Sequence, residues 1–165
     1  MGKILLFDAK VHDRQSFQNR EESITRYLQK HATQDIKRGY AQVYIVPEDD
    51  ERASIAGYMA LNARALDTRD FPAEIAEHFG SRRVIPMVEL GRLGVDIRCE
   101  GQGIAKALVY HAIQLTVTSP FGVSGLLVKA LTPAIMSFYT RLGFVLLPGD
   151  QDFLFLDRRA MPTVN

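Results

Sequence analysis

Apolar positions along this chain recur with two periods, and each period predicts a different element. Ile24, Tyr27, Leu28 and His31 recur at spacings of three and four, which predicts a helix over 21–34. "YAQVYIV" (40–46) predicts a strand ended by Pro47, and "ASIAGYMALNA" (53–63) its hairpin partner. The acidic run Glu48-Asp49-Asp50-Glu51 between them reads as a solvated loop. A helix is expected over 71–79, with Asp70 as its cap and Pro72 near its first turn. "PMVELGRLGVDI" (86–97) is a long strand interrupted by Gly91 and Gly94. Glycine inside a strand marks a bulge or a close approach. Ile104, Ala107, Leu108, Ala112 and Leu115 share one face of a helix over 104–118, followed by a buried strand over 125–131. Thr132 caps a further helix with Pro133 at its first position, running to Gly143. Strands at 144–147 and 153–156, joined around Pro148-Gly149-Asp150, complete the series. Strands linked through helices pair in parallel, and hairpins at either end pair antiparallel. The expected class is therefore α/β, with a mixed sheet covered by helices on both faces.

Composition narrows this picture. At 165 residues the chain fits a single domain, 1–165, with ordinary globular contents of 47% hydrophobic and 24% charged residues. No apolar run reaches the roughly 20 residues of a membrane-spanning helix. The run Ile4-Leu5-Leu6-Phe7 is too short for a signal peptide. Cys99 stands alone, so no internal disulfide forms and a cytoplasmic protein is the expectation. A net charge of +1 argues against a protein that coats nucleic acid. Lys37-Arg38, Arg82-Arg83 and Arg158-Arg159 read as scattered solvated charges. His12, His31, His78 and His111 show no metal-ligand spacing with Cys99 or the carboxylates, and no metal is expected.

The stretch with the most chemical content is "RCEGQGIAKAL", Arg98 to Leu108. Gly101 and Gly103 permit backbone conformations and approaches that a Cβ would block. They stand where the helix beginning at Ile104 presents unpaired N–H groups and the positive end of its dipole, a ready phosphate site. Ala105 keeps the first turn small, and Lys106 adds a cation. The stretch lacks the Lys-Ser/Thr ending of a P-loop, and Lys106 occupies the place of the third small residue in a dinucleotide fingerprint. By itself it is either a phosphate cradle or a tight turn.

"GRLGVD", "EGQGIA" and "SFYTRLGF", in that order, resemble the acetyl-CoA-binding core of the GNAT N-acetyltransferases. The family motif, Gln/Arg-x-x-Gly-x-Gly/Ala, falls on Glu100, Gly103 and Ala105, or two residues earlier on Arg98, Gly101 and Gly103. Its Phe-Tyr-x-x-x-Gly-Phe element appears as Phe138, Tyr139, Gly143 and Phe144. From about Phe17 to Leu156 the chain is most similar to the GNAT toxins of bacterial type II toxin–antitoxin systems. It departs from them at Met59, Thr132, Pro133 and Ile135.

The resemblance implies a GNAT fold, with the sheet splayed where acetyl-CoA binds. It also implies transfer of acetyl to the α-amino group of aminoacyl-tRNA, which stops translation. A small-molecule or protein amine, or partner binding without catalysis, are the other acceptors and roles the residues allow. Leu93, Gly94 and Val95 would pair with pantetheine as an added strand, a bulge near Gly94 freeing an N–H for the thioester carbonyl. Arg98, Glu100, Gly101, Gln102, Gly103, Ile104, Ala105 and Lys106 would form the pyrophosphate cradle. Tyr139 would be the general acid toward the coenzyme A sulfur. Glu89 is either a base for the amine or a charge at the solvated end of a strand. Arg82, Arg83 and Arg92 are candidate contacts for acceptor-stem phosphates. A small DNA-binding antitoxin and a homodimer are the implied partners, with no membrane.

Overall fold

In the computed structural model, residues 2–49, 53–149 and 152–162 are described. The chain forms β1 (Leu5–Leu6), α1 (Glu22–Arg26), a π-helical turn (Tyr27–His31), α2 (Ala32–Arg38), β2 (Gln42–Pro47) and β3 (Ile55–Asp67). It continues through α3 (Ala73–His78), β4 (Val84–Val95), α4 (Ile104–Val117), β5 (Gly125–Lys129), α5 (Pro133–Arg141), β6 (Val145–Leu146) and β7 (Phe153–Asp157). The strands make one seven-stranded sheet in the order β1-β2-β3-β4-β5-β7-β6. β4 and β5 run parallel, a pairing that needs the crossover supplied by α4. β1–β2, β2–β3, β5–β7 and β6–β7 are antiparallel. The mixed sheet is the one expected.

Two compact units divide the chain, one comprising the residues up to Asn62 together with Gly91–Ala112, the other Ala63–Leu90 with everything from Ile113 on. The first unit buries Phe7, Phe17, Leu28, Val43, Ile45, Ile55 and Tyr58 in a common core. The second buries Leu66, Ile85, Met87, Leu127, Leu147, Phe153 and Phe155, with Phe71, Ile75 and Phe79 packed against them. The β4–β5 ladder joins Val88–Leu90 to Leu126–Val128 and stops there, while β4 runs on to Val95.

Several elements differ from the sequence reading, each for a physical reason. Leu5–Leu6 forms a strand that hydrophobic periodicity leaves unassigned, because two residues are too few to show a period. The first helix runs on to Arg38, ending at Gly39 with φ of 74°, and is interrupted by the π turn. Tyr58 donates its phenol hydrogen bond to the Ile24 carbonyl at 2.6 Å, and a side chain inserted into a helical ladder is a recognised cause of such a dislocation. Asp70 does not cap α3, whose N-cap is Pro72. Asp67 captures the chain earlier, accepting from the Arg69 N–H and starting a 3-10 turn over Thr68–Asp70. Thr132 does cap α5, accepting from the Ile135 N–H at 3.2 Å with Pro133 in the first turn. Of the acidic run, Asp50 and Glu51 lie outside the described residues, as does Asp150. Arg158 is not a solvated charge: its guanidinium donates to the carbonyls of Val117 (2.7 Å) and Val123 (3.4 Å), closing the end of α4.

The same local device ends three strands. Asp67, Asp96 and Asp157 each accept from the N–H two residues on and from the guanidinium of that residue, Arg69, Arg98 and Arg159. Each turns its strand into a short 3-10 helix. Only Asp96 is fully buried.

Candidate functional site

The glycine loop begins where β4 leaves the sheet. Asp96 accepts from the Arg98 N–H at 2.9 Å and from its Nε at 2.8 Å. Burial opposes its ionisation, but hydrogen bonds from the Arg98 side chain and from the Arg98 and Gln18 backbone outweigh it, holding the carboxyl below the usual range. Gly101 and Gly103 take φ of 75° and 77°, a left-handed conformation that disfavours any residue with a Cβ. Space where a Cβ would sit is open at both positions, with no atom within 4 Å. α4 follows at once: Ala107 N–H donates to the Gly103 carbonyl at 3.0 Å, and no acidic residue lies in the first turn. The N–H groups of the first turn therefore face outward with the helix dipole behind them. Ile104 is buried, so only its backbone is available, whereas Gln102 and Lys106 are exposed. This geometry suits an anion approached by main-chain donors. A cleft of about 540 Å³ opens beside the loop, lined in part by Glu48, Arg98, Cys99, Gln102 and Ile104.

Residues 17–20 hold the approach to this loop. Ile97 N–H donates to the Gln18 carbonyl at 2.9 Å, and Gln18 N–H to Asp96 Oδ2 at 2.9 Å. Asn19 Nδ2 donates to the Val95 carbonyl at 2.8 Å. Arg20 grips both oxygens of Glu100, at 2.8 and 3.0 Å. A Cβ at Gly94 would overlap the Ile24 methyl and lie 3.4 Å from Asn19 Nδ2. The close approach that glycine permits in this strand is therefore made by side chains of the same unit. Gln18, Asn19, Arg20 and Asp96 were missed by sequence reasoning. The Asp-x-Arg triplet, shared by Asp67, Asp96 and Asp157, was the one local signal available for Asp96.

Tyr139, in the second unit, is set differently. It lies near the end of α5 with 5% of its surface exposed, its ring 5.1 Å from that of Phe138 and 5.2 Å from that of Phe144. Its carbonyl accepts from the N–H groups of Leu142 and Phe144, and Gly143, with φ of 95°, turns the chain out of the helix. Among the described residues its hydroxyl has no hydrogen-bond partner, yet no buried side-chain oxygen is left unsatisfied. The ring is thus enclosed, and its hydroxyl is held by no hydrogen bond among the described residues without being wholly sealed from solvent. Burial pushes the phenol pKa up, so the proton stays on at neutral pH.

The remaining candidates are dispersed. Glu89 is half-buried, with Arg64 Nη1 3.3 and 3.4 Å from its two oxygens, and that guanidinium also covers the Phe153 ring at 4.8 Å. Arg92, in the first unit, lies over the Tyr27 ring at 5.1 Å. Arg82 and Arg83, in the second, are exposed, with Arg83 Nε 3.7 Å from Asp67. Among the described residues no group of three His, Cys, Asp or Glu side chains could hold a metal ion. Nor is any helix there long and apolar enough to cross a membrane.

Known proteins resemble this chain over most of its length. A tRNA-acetylating toxin of Mycobacterium tuberculosis (strain ATCC 25618 / H37Rv) is 28% identical over 151 residues, covering 88% of each chain. The structure of AtaT complexed with acetyl-methionyl-tRNAfMet superposes with a TM-score of 0.86 at 28% identity, covering 96% of this chain and 95% of that one. AtaTR bound with AcCoA gives 0.82 at 29% identity, covering 96% and 94%. Residues 9–144 match the acetyltransferase (GNAT) family, and the chain belongs to it.

Proposed function

We propose that the protein transfers acetyl from acetyl-CoA to the α-amino group of an aminoacyl-tRNA and so stops translation. The likeness to AtaT in complex with acetyl-methionyl-tRNAfMet, over 96% of this chain, carries the reading of the acceptor. The reading of the donor rests on the two left-handed glycines before α4 and on the enclosed phenol of Tyr139, whose burial keeps its proton on at neutral pH.

The residues divide the work as follows. Main-chain N–H groups of Gly101 to Lys106 bind the pyrophosphate, with Arg98, Glu100 and Gln102 shaping the loop. Leu93, Gly94 and Val95 offer a strand edge to the pantetheine arm. The amine nitrogen attacks the thioester carbonyl, the C–S bond breaks, the Tyr139 hydroxyl gives its proton to the sulfur, and the proton shed by the amine nitrogen passes through solvent to restore the phenol. An α-amino group near pKa 8 is far less basic than a lysine near 10, so an adequate neutral fraction exists without a dedicated base. Arg82, Arg83 and Arg92 serve acceptor-stem phosphates in this scheme. A small DNA-binding antitoxin, a homodimer and a cytoplasmic site of action belong to the same reading. The similar structure of the AtaT-AtaR complex bound to DNA supports the antitoxin partner.

The test offers purified protein and labelled acetyl-CoA to charged tRNA, free polyamines and ribosomal protein in parallel. Label on the aminoacyl moiety of tRNA is expected. Label confined to polyamines or protein overturns the acceptor and leaves the transferase.

A further inference from the structure

Four contacts tie residues 17–20 to residues 95–100, and the fourth differs from the others. The contacts of Gln18 and Asn19 are partly buried and involve backbone groups or the buried Asp96. The Arg20–Glu100 pair joins two side chains at the surface, 77% and 39% exposed. An ion pair so exposed adds little to folding. Its position gives it another consequence. Glu100 immediately precedes Gly101, so a carboxylate stands at the rim of a loop whose donors suit a phosphate. Two like charges so placed repel, and an opposite charge bound to one of them removes the repulsion. Arg20 engages both carboxylate oxygens in a planar fork, the arrangement that neutralises and orients a carboxylate most completely.

We propose that Arg20 is a positioning residue for acetyl-CoA that acts through Glu100, holding its carboxylate against residues 17–20 and cancelling its charge at the rim of the cradle. This rests on reading residues 98–106 as the pyrophosphate site. A merely structural latch fails equally when either partner is removed. A charge mask behaves otherwise: loss of Arg20 exposes a repulsive carboxylate, and further loss of that carboxylate repairs the damage.

The experiment titrates coenzyme A calorimetrically into the full chain, with Tm recorded for every variant to confirm folding. Arg20→Ala is expected to raise Kd about five- to tenfold at low ionic strength. The ratio should shrink to about twofold near 0.5 M salt, where the Debye length falls below about 5 Å. Arg20→Ala combined with Glu100→Gln should bind coenzyme A at least about threefold more tightly than Arg20→Ala alone at low ionic strength. Unchanged affinity in Arg20→Ala, or no recovery in the double variant, overturns the mask. Absence of coenzyme A binding by the unmodified protein overturns the cradle itself, which separates that failure from this one.

Discussion

The glycine loop and Tyr139 are built on opposite principles. In the first unit, the approach to the loop is fixed by hydrogen bonds: Asp96 accepts from Gln18 and Arg98, Asn19 donates to the Val95 carbonyl at the end of β4, and Arg20 pairs with Glu100. In the second, Tyr139 is fixed by ring packing against Phe138 and Phe144, and its hydroxyl has no hydrogen-bond partner among the described residues. A group that must hold a ligand in one place gains from a fully satisfied polar scaffold. A group that must surrender a proton loses if the protein already occupies that proton. Apolar packing positions it without engaging it.

That contrast can be broken from either side. Tyr139→Phe keeps the ring packing and removes only the proton, so kcat should fall about a thousandfold with coenzyme A affinity intact. Single-turnover kinetics and calorimetry check the two halves, and unchanged turnover removes the general-acid role. Gly103→Val forces a β-branched side chain to a φ of 77° and into the open space above the loop. Coenzyme A affinity should fall about a hundredfold or more; wild-type affinity would refute the cradle. Asp96→Ala leaves the Gln18 and Arg98 N–H groups without their acceptor and should cost about 2–3 kcal/mol in denaturant unfolding. Because the Asp96 pKa is depressed on folding, its contribution is present above its unfolded value. The difference between wild type and variant should therefore shrink as pH falls below about 4. The smallest effect expected is on the pH profile. With the phenol pKa raised by burial, kcat should show no alkaline fall up to about pH 9, whereas an ordinary exposed acid of lower pKa would give one.

What the residues reveal unaided follows how local each cause is. Thr132, Pro133 and Ile135 lie within one turn of helix, so the start of α5 is readable from three letters. The hairpin of β2 and β3 is readable because each carries a continuous apolar run and Pro47 with the acidic stretch after it separates the two. The π turn is not, since the phenol that dislocates it comes from Tyr58, 34 residues beyond Ile24. Asp70 misleads because Asp67 competes for the same turn and acts first. In the site, the left-handed glycines and the Phe-Tyr pair carry local signatures. The Arg20–Glu100 fork, spanning 80 residues, carries none: arginine near a helix start and glutamate before glycine are each unremarkable alone.

The contacts that fasten residues 17–20 to the end of β4 also set a timetable for the nascent chain. Gln18 and Asp96 are 78 residues apart, and their contact closes a loop of that length. Closure on this scale is entropically slow and comes after the local hairpin and helices have formed. The glycine loop gains its fastening only once the synthesised chain has passed Glu100 and the two ends have met. Maturation of the glycine loop is thus tied to completion of the first unit, and a polypeptide still short of that length has the residues of the approach without the frame that holds them.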